Sequence, residues 1–296
     1  MDAARTDNRS TGRAPERAAD TAAFGRLTAA GHTASKVVLI SGGSSGIGRA
    51  TANYYADRGH RVYELSRSGS DRPGVRHLTA DVCDPASVRR AVDKVMEEEG
   101  RLDILISNAG YGIGGSVEGT SPEDAAQQMR VNFEGGVHLV QAALPALRSG
   151  GGGRILFVSS LAAVIPIPFQ AFYSASKAAV NTFALALANE LRPFGIACAL
   201  ILPGDVRTGF TEHRVKGAAE APAYANTASQ SLAKMEADER GGRSPETIAR
   251  RLYRMGTGRR SPALLRGASA ADQALLIAYR LLPKRLSQRL LARLYA

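Results

Sequence analysis

Long hydrophobic runs, clustered histidines and any wealth of cysteine are missing from this 296-residue chain. No stretch of eighteen apolar residues occurs, so no transmembrane helix is expected. Cys83 and Cys198 cannot build a disulfide framework, and neither has a second Cys or grouped His nearby. The histidines at 32, 60, 77, 138 and 213 are scattered, so no metal site is expected. Residues 1–34 hold few large apolar groups, too few to order the segment by burial. They also lack the apolar centre of a secretory signal, and Asp2, Asp7, Glu16 and Asp20 do not suit a mitochondrial transit peptide. The expectation is a disordered arm on a cytoplasmic protein.

What is present begins with a 44% hydrophobic content, enough over this length to bury a large core. The net charge of +11 is concentrated at one end. Between Arg240 and Ala296, thirteen Lys and Arg face only Glu246 and Asp272, which accounts for the whole excess. Such a tail suits anionic lipid, nucleic acid, an acidic partner or a plain solvated helix face. Few aromatics are interleaved and no motif matches, so nucleic acid is set aside.

From Lys36 onward, short apolar runs alternate with helical periods, which implies a parallel sheet covered by helices. Strands are expected at Val37–Ser41, Arg61–Ser66, near Val75–Ala80, and at Asp103–Ser107, Arg154–Ser159 and Ile196–Leu202. Helices are expected from the glycine loop to about Arg58, over Pro85–Glu99, from Ser121-Pro122, over Ala171–Arg192 and from Ser244-Pro245. The stretch 205–242 has no clear strand and reads as a functional lid. Leu275–Tyr295 reads as a helix interrupted by Pro283, with Leu286, Leu290 and Leu294 on one face and Lys284, Arg285, Arg289 and Arg293 beside it. That pattern fits an interfacial helix in peripheral contact with a membrane, or a helix packed on its own domain or a partner subunit.

Chemistry enters at Ser41-Gly42-Gly43-Ser44-Ser45-Gly46-Ile47-Gly48, between a strand and a helix. Glycines there allow a tight turn and let the backbone approach a pyrophosphate on the helix N-terminus. The second strand ends Ser66-Arg67, where an NAD site would carry an acid for the ribose diol. A small Ser leaves room for a 2′-phosphate and Arg67 can pair with it, so NADP(H) is expected.

Tyr173 and Lys177 are four apart on one helix, so both heads can reach one site. An ammonium ~4–5 Å from a phenol would stabilise phenolate by about 3–4 kcal/mol at an effective dielectric near 20. That would bring the phenol to roughly pKa 7–8, where acid–base catalysis works well. Ser159-Ser160 end a strand at the carboxyl edge of the sheet, where ligands bind, and a Ser hydroxyl there can hold a substrate carbonyl. Asn108 and Asn132 are further candidates near that edge.

The glycine loop, Asn108-Ala109-Gly110, Asn132, Ser160 and the Tyr173–Lys177 pair, in this order, resemble the short-chain dehydrogenase/reductase family. The resemblance covers about Lys36 to Arg260. It implies a Rossmann-like, doubly wound α/β fold of three layers with about seven parallel strands, and hydride exchange with nicotinamide. It further implies that Gly42, Gly46 and Gly48 cradle the pyrophosphate beside Ile47, and that Asp81 and Val82 meet adenine. Tyr173 would be the acid/base, with Lys177 lowering its pKa and holding the ribose, Ser160 polarising the carbonyl, and Asn132 holding a relay water. Pro203-Gly204 with Val206 and Thr208 would meet the carboxamide end. Ser41 stands where Thr is usual, keeping the hydroxyl, and Ser107 where the family has a first Asn.

Val164, Ile165, Ile167 and Phe169, with Phe210 from the lid, would line an apolar substrate pocket. The organisation expected is an arm (1–34), a catalytic domain (35–262) and a basic amphipathic extension (263–296). The resemblance also implies a homodimer or homotetramer. An NADP(H)-dependent oxidoreductase acting on a small apolar ketone, aldehyde or alcohol is the reading; a non-catalytic NADPH-binding or membrane-surface protein is the alternative.

Overall fold

Near-continuous apolar runs on short, Val- and Ile-rich strands pack best when both faces of a sheet are covered, and that is how this chain folds. The computed structural model describes residues 35–216, 222–262 and 264–295; the arm and part of the lid (217–221) lie outside them. The strands are β1 (Val37–Ser41), β2 (Arg61–Ser66), β3 (Val75–Thr79), β4 (Ile104–Ser107), β5 (Ile113–Gly114), β6 (Gly153–Val158), β7 (Ile196–Leu202), β8 (Val215–Lys216) and β9 (Leu265–Gly267). Seven form one parallel sheet in the order β3-β2-β1-β4-β6-β7-β9, while β5 and β8 pair separately. The sheet is doubly wound: chain order reverses between β1 and β4, and crevices for ligands open at such a point.

The helices are α1 (Gly46–Ala56), α2 (Pro85–Glu99), α3 (Pro122–Met129), α4 (Gly135–Ser149), α5 (Ala171–Leu191), α6 (Ala225–Arg240), α7 (Pro245–Thr257), α8 (Ala270–Leu281) and α9 (Lys284–Tyr295). One sheet face, with Leu39, Leu105, Ile155 and Leu200, packs on α2, α4 and α5. The other, with Val38, Ile40, Leu156 and Ile201, packs on α1 and α7. Successive residues of β1 therefore serve opposite layers, as strand geometry requires. Local signals set the helix starts. Asp84 accepts a hydrogen bond from the Ala86 N–H, and Ser121 from the Asp124 N–H, each followed by Pro. No described helix is long and apolar enough to cross a membrane.

Two features depart from the sequence expectation. Strand β9 has only three residues and sits within 263–296, so the sheet runs past the boundary drawn at 262. The segment 205–242 is not one long loop; it contains β8 and the sixteen-residue α6. The lid is tied to the C-terminal helices by an ion pair at its base. Arg243 Nη1 lies 3.0 and 2.9 Å from the two carboxylate oxygens of the buried Asp272, in the first turn of α8.

Arg243→Ala is expected to leave that carboxylate without its charged donor and to lower stability by about 1.5–3 kcal/mol. Equilibrium urea unfolding of the two proteins measures this, and an unchanged midpoint would contradict it.

Candidate active site

The ends of β1 and β4 diverge at the reversal point and are clasped together there. The Ser41 hydroxyl accepts from the backbone N–H groups of Asn108 (3.0 Å) and Ala109 (3.1 Å). The Asn108 amide donates back to the carbonyls of Ser41 (3.0 Å) and Gly42 (3.2 Å). Gly42 holds φ +66°, a left-handed conformation suited to glycine, and a Cβ on Gly48 would come within 2.1 Å of the Gly42 carbonyl. Backbone thus packs against backbone. Ser45 caps α1 without a side-chain hydrogen bond, and Ser45, Gly46 and Ile47 at this helix start line the cavity, where first-turn N–H groups suit an anion. These features fit a dinucleotide pyrophosphate.

A single cavity of about 1080 Å³ runs from this cradle to the other strand ends. Gly42, Ser44, Ser45, Gly46, Ile47, Ser66, Arg67, Asp81, Val82, Asn108, Ala109 and Gly110 line one arm of it, and Pro203, Gly204, Val206 and Thr208 lie across from them. Ser41 and Gly48 do not line it. Ser41 is 1% exposed and Gly48 is buried behind Gly42, so both shape the loop rather than the cavity surface. Two cations that the sequence reading passed over, Arg49 and Arg72, join Arg67 on the wall. Arg72 also donates to the Gly43 carbonyl at 3.0 Å. Burial lowers its pKa, with Glu64 opposing and Arg49 reinforcing. Arg49 could have been noticed in the first turn of α1, right after Gly48.

The other arm brings together Ser160, Tyr173 and Lys177. Ser160 follows β6 and accepts from the Ala162 N–H (3.1 Å), which fixes the turn there. Tyr173 and Lys177 project from one face of α5, and both are buried. The Lys177 ammonium donates to the Val158 carbonyl at 3.1 Å and lies 5.9 Å from the Tyr173 ring centroid. Phe210 meets the Tyr173 ring edge-on at 5.6 Å.

The phenol is not drawn toward neutrality as the four-residue spacing led one to expect. Burial pushes Tyr173 up to about 12; its hydrogen bond with Ser160 pulls the other way, Glu239 adds to the rise and Arg214 relieves it. Burial alone lowers Lys177 to about 8. Desolvation disfavours both charged forms, and one of the three ammonium N–H groups is held by a backbone carbonyl.

Asn132 lies in a π-helical turn, Arg130–Glu134, that joins α3 to α4. Such turns re-aim side chains and concentrate at functional sites. Its Nδ2 donates to the Tyr111 carbonyl (2.9 Å) and to Ser176 Oγ (3.0 Å), and its Oδ1 accepts from the Tyr111 N–H (3.0 Å). Asn132 does not line the cavity; it stands directly behind it. A Cβ on Gly110 would lie 3.1 Å from Asn132 Oδ1 and 3.3 Å from Lys177 Nζ, so both heads converge on that one glycine.

Of the five expected substrate-pocket residues, Ile165, Ile167 and Phe210 line the cavity, whereas Val164 and Phe169 do not. Val164 is spent on packing against the core and the cluster of Ile165, Tyr279 and Leu291. Phe169 sits in a left-handed turn (φ +59°), its carbonyl accepting from the Gly115 N–H at 2.9 Å. Their places are taken by Met235 of α6 and by Leu275, Leu291, Leu294 and Tyr295 of the C-terminal helices. Leu291 and Tyr295 are four apart on the helix side away from Leu286 and Leu290, a spacing visible in the sequence but masked by the more regular leucine row.

The short chain dehydrogenase family profile matches residues 36–219. A 3-ketodihydrosphingosine reductase of Bacteroides thetaiotaomicron is 42% identical over 232 residues, 77% of this chain and 85% of that protein. A short-chain dehydrogenase of Streptomyces avermitilis superposes with a TM-score of 0.72 at 27% identity, over 83% of this chain and 93% of that one. A short-chain dehydrogenase/reductase of Burkholderia phymatum, solved in complex with NAD, gives 0.72 at 25% identity, over 86% and 95%. The chain therefore belongs to the short-chain dehydrogenase/reductase family, oxidoreductases that bind a nicotinamide cofactor and act on small molecules.

Proposed function

We propose that this protein is an NADP(H)-dependent reductase of a long apolar ketone, with Tyr173 as the proton donor. The observation that carries the reading is the layout of one cavity: three guanidinium groups at its cradle end, and Ser160, Tyr173 and Lys177 among apolar side chains that share the wall with Asp205, His213, Asp238 and Glu239. Arg67, with Arg49 and Arg72 nearby, suits a 2′-phosphate by charge and by hydrogen-bond geometry. Gly42, Ser44, Ser45 and Gly46 would hold the pyrophosphate, and Val206 and Thr208 the carboxamide end. When bound, the nicotinamide cofactor supplies or accepts hydride.

The chain itself manages the proton. Ser160 Oγ hydrogen-bonds the carbonyl oxygen of the substrate and aligns it with the Tyr173 hydroxyl. A phenol kept protonated by burial is suited to donate to that oxygen as negative charge develops. The Lys177 ammonium, held by Val158, stabilises the resulting phenolate and restores its proton. Asn132 fixes the Tyr111 backbone and Ser176, whose hydroxyl donates to the Tyr173 carbonyl (2.7 Å), and it supports a relay water on the Lys177 side.

The substrate class follows from Ile165, Ile167, Phe210, Met235 and Leu291 around the reacting groups. The name of the Bacteroides relative makes a 3-keto, long-chain amino alcohol precursor the first compound to try. The reading includes a homodimer or homotetramer through α3–α4 and α5, and a cytoplasmic location.

Tyr173→Phe is expected to cut turnover by about 10²–10⁴-fold while NADPH binding, followed by fluorescence, stays intact; unchanged turnover would refute the assignment. Arg67→Ala is expected to raise KM for NADPH about 10–100-fold and leave that for NADH nearly unaltered, the loss of one charge-assisted contact. A lower KM for NADH than for NADPH in the unaltered protein would sink the cofactor reading. For pH, the Lys177 ammonium is present below about 8 and lost above it, while the phenol at about 12 is still protonated. The profile of kcat/KM for reduction should therefore fall as pH rises through about 8, and the residual rate of Lys177→Met should lack that limb.

A further inference from the structure

Half of the exposed large apolar side chains among the described residues belong to the last two helices: Leu275, Ile277 and Leu281 on α8, and Leu286, Leu290 and Leu294 on α9. Single exposed leucines are ordinary, but such a concentration marks a contact surface. Pro283 separates the helices, and α9 folds back so that Leu291, with Tyr295 beside it, packs on Ile165 and Tyr279. With that side turned inward, Leu286, Leu290 and Leu294, spaced by four, form an outward row.

A second row runs alongside. Arg285, Arg289 and Arg293 each precede one of those leucines and are exposed, as are Arg280 and Lys284, and no acid occurs from 273 to 296. An exposed leucine row flanked by cations and free of anions has the chemistry of a helix lying in an anionic lipid interface.

The row also meets the mouth of the cavity. Leu275 and Leu294 line the cavity and yet are 50% and 55% exposed, so they form its rim, whereas Leu291 beside them is buried within it. One helix thus contributes a wall to the substrate cavity and an apolar, cationic surface to the outside.

We propose that α8 and α9 dock on an anionic lipid surface and that the cavity opens toward it between Leu275 and Leu294, so that the apolar substrate enters from the lipid. The entry route rests on the ketone-reductase reading; the docking itself does not. Leucine side chains of the outer row lie among the acyl-chain boundaries and the arginines on lipid phosphates.

The test uses the full chain and two variants that alter neither a cavity-lining residue nor a reacting group: Leu286→Ser/Leu290→Ser and Arg285→Gln/Arg289→Gln/Arg293→Gln. Co-sedimentation is measured with phosphatidylcholine vesicles with and without phosphatidylserine, and turnover is measured on a short water-soluble ketone and on a long-chain ketone embedded in the vesicles. The full chain should pellet only with the phosphatidylserine vesicles. Removing three arginines should weaken that binding on the order of 100-fold, about fivefold for each cation. Both variants should keep the rate on the soluble ketone and lose about tenfold on the embedded one.

Equal pelleting of the full chain and both variants, or no pelleting at all, overturns the proposal. So does a serine variant that dissociates a dimer in light scattering while still binding vesicles, since the leucine row would then face a second copy. Vesicle binding with no turnover on either ketone would leave the docking supported and bring down the reductase reading instead. Unchanged turnover of the embedded ketone in variants that no longer pellet would refute the entry route.

Discussion

The clasp between Ser41 and Asn108 is the constraint on which the rest of the site depends. At the reversal point of a parallel sheet the loops after β1 and β4 leave in opposite directions, and nothing in the strand ladder holds them at a fixed separation. Here one hydroxyl accepts two backbone N–H groups, and one amide returns two hydrogen bonds to backbone carbonyls. The glycine loop can then run close to its own helix, because Gly48 offers no Cβ to the Gly42 carbonyl. The two residues serve the cradle by bracing it.

The same economy governs the reacting end. A phenol and an ammonium placed in a dry pocket both resist charging, so their protonation is set by burial before any mutual attraction is counted. Lys177 satisfies its charge on the Val158 carbonyl at the end of β6, and Ser160 follows two residues later. The strand end therefore sets the position of both partners of Tyr173. That arrangement keeps the phenol protonated.

Much of this was legible in the sequence, for identifiable reasons. Six of the seven sheet strands have apolar runs long enough to register, and the starts at Asp84-Pro85 and Ser121-Pro122 carry hydroxyl or carboxylate caps whose chemistry acts locally. The Tyr173–Lys177 spacing and the glycine loop are likewise local. Strand β9 was illegible because three residues make no pattern; it exists only because β7 offers an edge to pair with. The π-helical turn at Asn132 was invisible for the same reason, since its geometry answers to Tyr111 and Ser176, 21 residues back and 44 ahead. Val164 and Phe169 looked like pocket residues because they lie between Ser160 and Tyr173. The path of the chain there, with Phe169 in a left-handed turn, brings only Ile165 and Ile167 of that segment's expected residues to the cavity.

The least legible part is the wall built by the C-terminal helices, and its cause is cooperative. The Leu286, Leu290 and Leu294 row is the stronger periodic signal, but a helix can bury only the side for which the domain supplies a complementary surface. Ile165 and Tyr279 offer that surface to Leu291 and Tyr295. The Arg243–Asp272 pair joins the base of the lid to the first turn of α8, and Lys234 on α6 lies 5.9 Å from the Tyr295 ring. Helix α6 and the C-terminal helices thus meet beside the cavity, which Met235, Leu275, Leu291 and Tyr295 line together. A C-terminal helix anchored in this way leaves its leucine row outward because the inward positions are already filled, so burial within the domain and exposure to a second surface follow from the same packing constraint.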